Sequence, residues 1–279
     1  MKRSALILPT LAMLASCAYS PTTIGRSFDF SYSEPTSSTY AKKHSLNILY
    51  IGNSFTYYNN IDEVTVGIGE SMGLEVKAKR FAVGSQKLAQ SASTSDALGA
   101  EIDADLHAHD DYTDVILQEQ STTPINSYSS FLTGAVKLKK KVDATQIAAD
   151  VHLYATWSYP GMTGYAEDLE GGCAALKEAY RKAGAVMEVG VDYVGSAFLH
   201  VIKNHPDINL YWSDNKHPSF AGTFLAAAVH LACLSDGDVR TATFHGSEST
   251  KWEGQACYIT EANAKILLSV AHDVANGAI

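Results

Sequence analysis

Short apolar runs recur along the chain, separated by longer stretches with helical spacing. Asn47–Ile51 (NILYI), Asp114–Leu117 (DVIL), Val151–Thr156 (VHLYAT) and Ala185–Val189 (AVMEV) are largely apolar runs of four to six residues. Runs of this length predict strands covered on both faces. Leu74–Phe81 alternates apolar with charged residues and predicts one more strand, second in chain order. Between the strands lie helical segments: near Ile61–Met72, the Ala-rich Gln86–His107, Tyr128–Gln146, Ala166–Ala183, Gly195–Lys203, Pro218–Leu234 and Thr260–Asn276. In Tyr128–Gln146, Phe131, Leu132, Ala135, Val136 and Leu138 are interleaved with Lys137, Lys139, Lys140 and Lys141. Strands separated by helices predict parallel pairing with right-handed crossovers. The expected architecture is α/β: a three-layer α/β/α sandwich on a five-stranded parallel sheet, in one domain over residues 45–279. Sites in such sheets lie at the carboxyl ends of the strands, so the loops that follow strands carry the candidate chemistry.

The first residues change the picture. Lys2 and Arg3 precede a short apolar run from Ser4 to Leu14, followed by Leu14-Ala15-Ser16-Cys17. The run is short for a membrane span and predicts an export signal over residues 1–16. The last four residues resemble the lipobox of bacterial lipoproteins. That resemblance implies cleavage before Cys17 and a diacylglyceryl group on its sulfur. With Ala18 next, it further implies sorting to the outer membrane of a Gram-negative bacterium. Residues 17–44 are rich in Ser, Thr, Tyr and Pro without periodicity, which predicts a tether.

The chain has 21 Lys and Arg against 30 Asp and Glu, a formal charge of −9. An acidic chain is poorly suited to neutralising phosphates, so the charge argues against nucleic acid as a partner. The membrane would be reached through the lipid anchor instead. Beyond Cys17 lie Cys173, Cys233 and Cys257, with no CxxC spacing for a cysteine zinc site. Export permits a disulfide, and Cys233–Cys257 is the favoured pair if one forms.

Two loops carry reactive side chains. Gly52-Asn53-Ser54-Phe55-Thr56 follows the first strand, where a Ser at a strand-to-helix turn can project its hydroxyl. On its own it also reads as a turn or a helix cap. Far downstream, Ser213-Asp214-Asn215-Lys216-His217-Pro218-Ser219 brings Asp and His together on one loop. A hydroxyl nucleophile needs a base within hydrogen-bond reach, and the base needs a carboxylate to fix its tautomer. The two loops together supply all three groups.

In these two blocks the chain resembles the SGNH/GDSL hydrolase superfamily, through most of residues 46–279. Gly52-Asn53-Ser54 matches the family's GDS-like turn, with Asn in place of Asp, and Asp214-Asn215-Lys216-His217-Pro218 matches its DxxHP block. The resemblance implies a flavodoxin-like fold, Ser54 as nucleophile, His217 as general base and then acid, Asp214 as its orienter, and no cofactor or metal. It also implies an oxyanion hole from the N–H groups of Ser54 and of Gly84, in Val83-Gly84-Ser85-Gln86, with Ser85 one position away. The family completes this hole with an Asn in a GxND-like turn. This chain reads Leu117-Gln118-Glu119-Gln120-Ser121 instead. Counting from the strand end puts Gln120 in the Asn place, while Gln118 lies closer to the strand. The LQEQS form resembles uncharacterised and carbohydrate-active bacterial members.

Other residues yield weaker expectations. His107-Ala108-His109-Asp110-Asp111 offers metal-ligand types but precedes a strand, at the wrong end of the sheet, and reads as a solvated loop. Tyr57, Tyr58, Trp157, Tyr159 and Trp212 fall in loops beside these blocks, where rings could hold a sugar or an acyl chain. Trp157 and Tyr159, in TWSYPG after the fourth strand, are the favoured substrate contacts. The expected reaction is hydrolysis of a small ester or acylated glycan, most readily carbohydrate O-deacetylation. Alternatives are a lipase- or lysophospholipase-like esterase and, in another class, a non-catalytic glycan-binding lipoprotein. Transfer of the acyl group to a sugar instead of water is also open, and nothing in the sequence selects an oligomeric state.

Overall fold

The computed structural model describes residues 41–279; the export signal, Cys17 and most of the tether lie outside the described residues. In chain order the elements are β1 (Ser45–Gly52), α1 (Ser54–Tyr57), α2 (Ile61–Ser71), β2 (Glu75–Ala82), α3 (Leu88–Ser91), α4 (Ala97–Ala108), β3 (Asp114–Leu117), α5 (Thr123–Asn126) and α6 (Tyr128–Thr145). They continue with β4 (Asp150–Tyr154), α7 (Leu169–Met187), β5 (Gly190–Asp192), α8 (Val194–Asn204), α9 (Phe220–Leu234), β6 (Gly246–Trp252), β7 (Gln255–Tyr258) and α10 (Glu261–Ala275).

β1 to β5 form one sheet in the order β2-β1-β3-β4-β5, every pair parallel. Helices α2, α8, α9 and α10 pack together on one face, and α3, α4, α6 and α7 on the other. This is the expected three-layer α/β/α sandwich. The apolar runs explain the centre: Ile48 to Ile51, Val115 to Leu117 and Leu153 are fully buried. All fifteen residues of α9 are buried, which its apolar FAGTFLAAAVHLACL sequence permits on every side.

Register fixes where the site can form. Gly52 is level with Ala82 of β2, and Ile51 with Leu117 of β3. The loops beginning at Asn53, Val83 and Gln118 therefore leave the sheet side by side. β1 is also where the strand order turns back on itself, the place where such sheets open a crevice.

Three local expectations are corrected. The run Ala185–Val189 is not a strand: α7 continues to Met187, and β5 begins at Gly190. Ala183, Gly184 and Met187 keep the helix's buried face going, and its stop is hidden because Glu188 takes the left-handed cap usually held by Gly (φ 55°). Gln86–His107 is not one helix, because Asp96 caps a new one at Gly99 N–H, splitting it into α3 and α4. Cys173 and Cys257 are free thiols, so the Cys233–Cys257 pairing is absent.

The antiparallel β6–β7 hairpin went unread in the sequence. β6 is exposed along most of its length and shows no apolar alternation. Its one signal is Glu253-Gly254, both at positive φ (46° and 80°), as a two-residue hairpin turn requires.

Candidate active site

The nucleophile turn is built around close approach. A Cβ at Gly52 would lie 2.6 Å from Gln118 Oε1 and would also overlap Thr56 Oγ1, so only glycine fits there. Gln118 Oε1 accepts from Asn53 N–H and from the Thr56 hydroxyl, both at 2.9 Å. Asn53 caps α1, its Oδ1 accepting from Phe55 N–H at 3.2 Å. These bonds hold Ser54 at the first position of α1.

The downstream loop folds into a tight turn closed by Trp212 N–H to His217 C=O at 2.7 Å. Asp214 Oδ1 accepts from the N–H groups of Lys216 and His217, both at 3.0 Å, and Asn215 takes the left-handed conformation between them. Asp214 Oδ2 lies 2.5 Å from His217 Nδ1. His217 Nε2 lies 2.9 Å from Ser54 Oγ. With Nδ1–H donated to the carboxylate, Nε2 is free to accept the serine proton. Residues 163 positions apart thus form the continuous Ser–His–Asp chain that nucleophilic acyl transfer needs. Partial burial pushes the Asp214 carboxyl up, but its bonds to His217 and Lys216 outweigh this and hold it below the usual carboxylate range. It stays ionised wherever the imidazole is needed as a base.

His217 is held from three sides. Tyr58 lies flat on the imidazole at 4.4 Å between ring centres, and Phe55 meets it edge-on at 5.6 Å. Asn59 ties the two loops together, its carboxamide donating to Pro218 C=O at 3.0 Å and to Thr223 Oγ1 at 2.9 Å. The sequence reading missed Asn59; its left-handed backbone (φ 54°), followed by that of Asn60, becomes legible only in the structure.

The two glutamines part company. Gln118 is buried, its oxygen fully used by the nucleophile turn and its amide donating to Glu119 C=O. Gln120 is half-buried. Its Oε1 accepts from Thr122 N–H and from the Thr122 and Thr123 hydroxyls, and its Nε2 donates to Ser121 Oγ at 3.0 Å, leaving one amide hydrogen over. Gly84 is exposed, beside the Tyr57 hydroxyl, in a turn closed by Gln86 N–H to Val83 C=O at 3.3 Å. Asn53 Nδ2 donates to Gln86 C=O at 3.0 Å, pinning that turn to the nucleophile turn. Ser85, the neighbouring candidate, is exposed and left-handed (φ 61°).

The favoured substrate contacts are corrected. Trp157 is fully buried, stacked between Phe55 at 4.5 Å and Phe198 at 4.1 Å, and its Nε1 donates to Lys216 C=O at 3.0 Å. It braces the base loop from beneath. Tyr159 is 7% exposed, with Phe55 edge-on to its ring and the Lys216 ammonium over it. Neither offers a free face. Tyr57, Tyr58 and Trp212 are half-buried around the triad. His107 and His109 sit at the end of α4, next to Asp103 and Asp105. Among the described residues no group of three or more His, Cys, Asp or Glu is placed to hold a metal, and no helix is long and apolar enough to cross a membrane.

No family model and no curated protein matches the chain. Among solved structures it is similar to a candidate SGNH hydrolase from Slackia heliotrinireducens, at 25% identity and a TM-score of 0.58, over 67% of this chain and 97% of that one. It is similar in fold to a DUF4886 family protein from Bacteroides uniformis, at 16% identity and a TM-score of 0.63, over 82% of this chain and 94% of that one. It is also similar in fold to an acetylxylan esterase from Geobacillus stearothermophilus, at 15% identity and a TM-score of 0.51, over 68% of this chain and 95% of that one.

Proposed function

We propose that the chain is a member of the SGNH/GDSL hydrolase superfamily, which it resembles in fold and in its Ser54 and Asp214–His217 blocks, and that it is a serine esterase that removes O-acetyl groups from carbohydrate. The observation that carries the esterase reading is the bonded chain Ser54–His217–Asp214. His217 takes the Ser54 proton as Oγ attacks the ester carbonyl. Asp214 stabilises the imidazolium that forms. His217 then protonates the leaving alcohol, and water releases the acid from the acyl-enzyme. The oxyanion falls to the N–H groups of Ser54 and Gly84 and to the spare amide hydrogen of Gln120. Gln118 is assigned to holding the nucleophile turn instead.

The carbohydrate reading is supported by the openness of the site. The Asp214 side chain is 42% exposed and that of His217 is 19% exposed, which suits an ester displayed on a bulky alcohol. A fold that also serves an acetylxylan esterase accommodates this chemistry.

Ser54→Ala should reduce turnover of 4-nitrophenyl acetate to background and abolish covalent labelling by a fluorophosphonate. Labelling that persists would overturn the nucleophile. Gln120→Ala should lower kcat by roughly a hundredfold with the fold intact, the usual effect of losing one oxyanion donor. Preference for long acyl esters over acetyl esters would replace the deacetylase reading with a lipase-like one. We further propose that Cys17 carries the lipid and places the enzyme outside the cytoplasm, at the outer membrane. Cys17→Ser should then abolish palmitate labelling and release the protein from the membrane fraction.

A further inference from the structure

A band of aromatic rings runs along one side of the triad. Tyr57 and Tyr58, at the end of α1, lie 5.5 Å apart, ring centre to ring centre. Trp252, at the end of β6, sits 6.2 Å from Tyr57 and 5.8 Å from Tyr58. Trp212, from the base loop, meets Tyr58 edge-on at 6.1 Å. At one end the Tyr57 hydroxyl borders Gly84; in the middle Tyr58 covers His217. All four rings are half-buried, and Val83, beside Gly84, is 44% exposed. Core aromatics elsewhere in this molecule, such as Tyr154, Trp157 and Phe198, are fully enclosed. A contiguous set left open beside a nucleophile is the pattern of a contact surface.

The edges of the band indicate its occupant. Its rim is polar: exposed Asp214 and Asn215 of the base loop and exposed Glu253 of the hairpin turn, with the charges of Asp214 and Glu253 close enough to act on the Tyr58 hydroxyl. Flat rings with a polar rim match a pyranose, which has an apolar C–H face and hydroxyls around its edge. A long acyl chain would need apolar walls on every side. Asp214 and Glu253, on a chain of formal charge −9, disfavour an anionic ligand.

We propose that Tyr57, Tyr58, Trp212 and Trp252 form a subsite for the sugar ring of a neutral O-acetylated glycan, with Trp252 setting specificity. The β6–β7 hairpin, packed on α9, is then a specificity element that brings Trp252 to the rings of Tyr57 and Tyr58. This rests on the ester-hydrolase reading and names the alcohol half of its substrate.

The test measures kcat/KM for a partially O-acetylated xylo-oligosaccharide and for 4-nitrophenyl acetate. For Trp252→Ala the ratio of the first to the second should fall about tenfold, mainly through KM, since a stacked ring is lost. Trp252→Phe should restore most of the ratio, which separates ring contact from collapse of the hairpin. In the Ser54→Ala background the oligosaccharide should shift and quench tryptophan fluorescence, and Trp252→Phe should remove most of that signal. An unchanged ratio in Trp252→Ala, or equal loss on both substrates, overturns the subsite. A wild-type enzyme that cleaves 4-nitrophenyl acetate but not the oligosaccharide overturns the sugar and leaves the esterase standing. Residual ester cleavage by Ser54→Ala would instead overturn Ser54 as the nucleophile, and a wild-type enzyme that cleaves neither ester would overturn the esterase reading itself.

Discussion

At Asn53 one carboxamide makes two unlike hydrogen bonds. Its oxygen caps Phe55 N–H and its nitrogen donates to Gln86 C=O, in a position only 2% exposed. This gives a physical reason for Asn where related turns carry Asp. A carboxylate has no hydrogen to donate, so its second oxygen would face the Gln86 carbonyl oxygen. Asn53→Asp should therefore destabilise the domain by about 2 kcal/mol, the cost of an unmatched buried polar group. It should also lower ester kcat/KM at least about tenfold, because the Gly84 turn loses its link to the Ser54 turn. Denaturant unfolding and steady-state kinetics on the purified variant check both. Native stability in Asn53→Asp would show that the bond to Gln86 carries little. Trp157 shows the converse at the same scale. Its place after a strand suggested a substrate contact, yet the residues that enclose it, Phe55 and Phe198, come from distant parts of the chain.

Between elements, legibility followed the distance over which residue types act. β1, β3 and the Asp214–His217 turn could be read because their cause is local: an apolar run, or two reactive groups three residues apart. The β6–β7 hairpin could not, since its strands bury little and its order comes from a turn and from contacts with α9 and the Tyr57 ring. Glu119 is a third case, a carboxyl buried between two loops. Its Oε1 accepts from Gln120 N–H at 2.6 Å and from Leu88 N–H at 3.3 Å, so it joins the β3–α5 loop to the start of α3. Burial pushes its carboxyl up to about 7, against the two N–H donors and the charge of Lys87, which lower it. A carboxyl with a raised folded pKa holds its proton longer in the native state, so native stability falls as pH rises from about 4.5 to 7. Glu119→Gln keeps an acceptor for both N–H groups and removes that dependence. Between pH 5 and pH 8 the variant should gain up to about 3 kcal/mol relative to wild type. Parallel urea titrations at the two pH values measure it; a constant difference would mean that Glu119 is ionised throughout.

Across the whole molecule, the sandwich is crossed by a line of paired ionisable groups, partly exposed at Lys43 and Asp150 and buried from Asp114 to His230, distinct from the triad. Lys43 Nζ bonds Asp114 at 2.9 Å and Asp150 at 2.8 Å at the amino end of the sheet. His152 of β4 meets Asp192 of β5 at 3.1 Å, and Asp192 meets His230 of α9 at 2.6 Å, all three fully enclosed. Burial alone would raise the Asp192 carboxyl, but the charge and hydrogen bonds of the two imidazoles hold it far below the usual range. Burial likewise works against protonated His152, and the charge of Asp192 more than reverses it, raising that imidazole. The two shifts act in opposite directions along the pH axis. The depressed Asp192 contributes stability above about pH 4, lost as pH falls towards its folded value. The raised His152 contributes below about pH 6.5, and its share is lost as pH rises through its folded value. Their joint contribution is therefore greatest between about pH 4 and 6.5. Asp192→Asn breaks the line at its centre, removing the nearest counter-charge of buried His152 and the carboxylate bonded to His230 Nδ1, a loss of about 3 kcal/mol. That loss should be largest near pH 5 and smaller at pH 9, since the share contributed by His152 is lost as pH rises. Unfolding midpoints of wild type and Asp192→Asn at the two pH values decide it. A difference that grows towards pH 9 would mean the line is held by neutral hydrogen bonds instead of by charge.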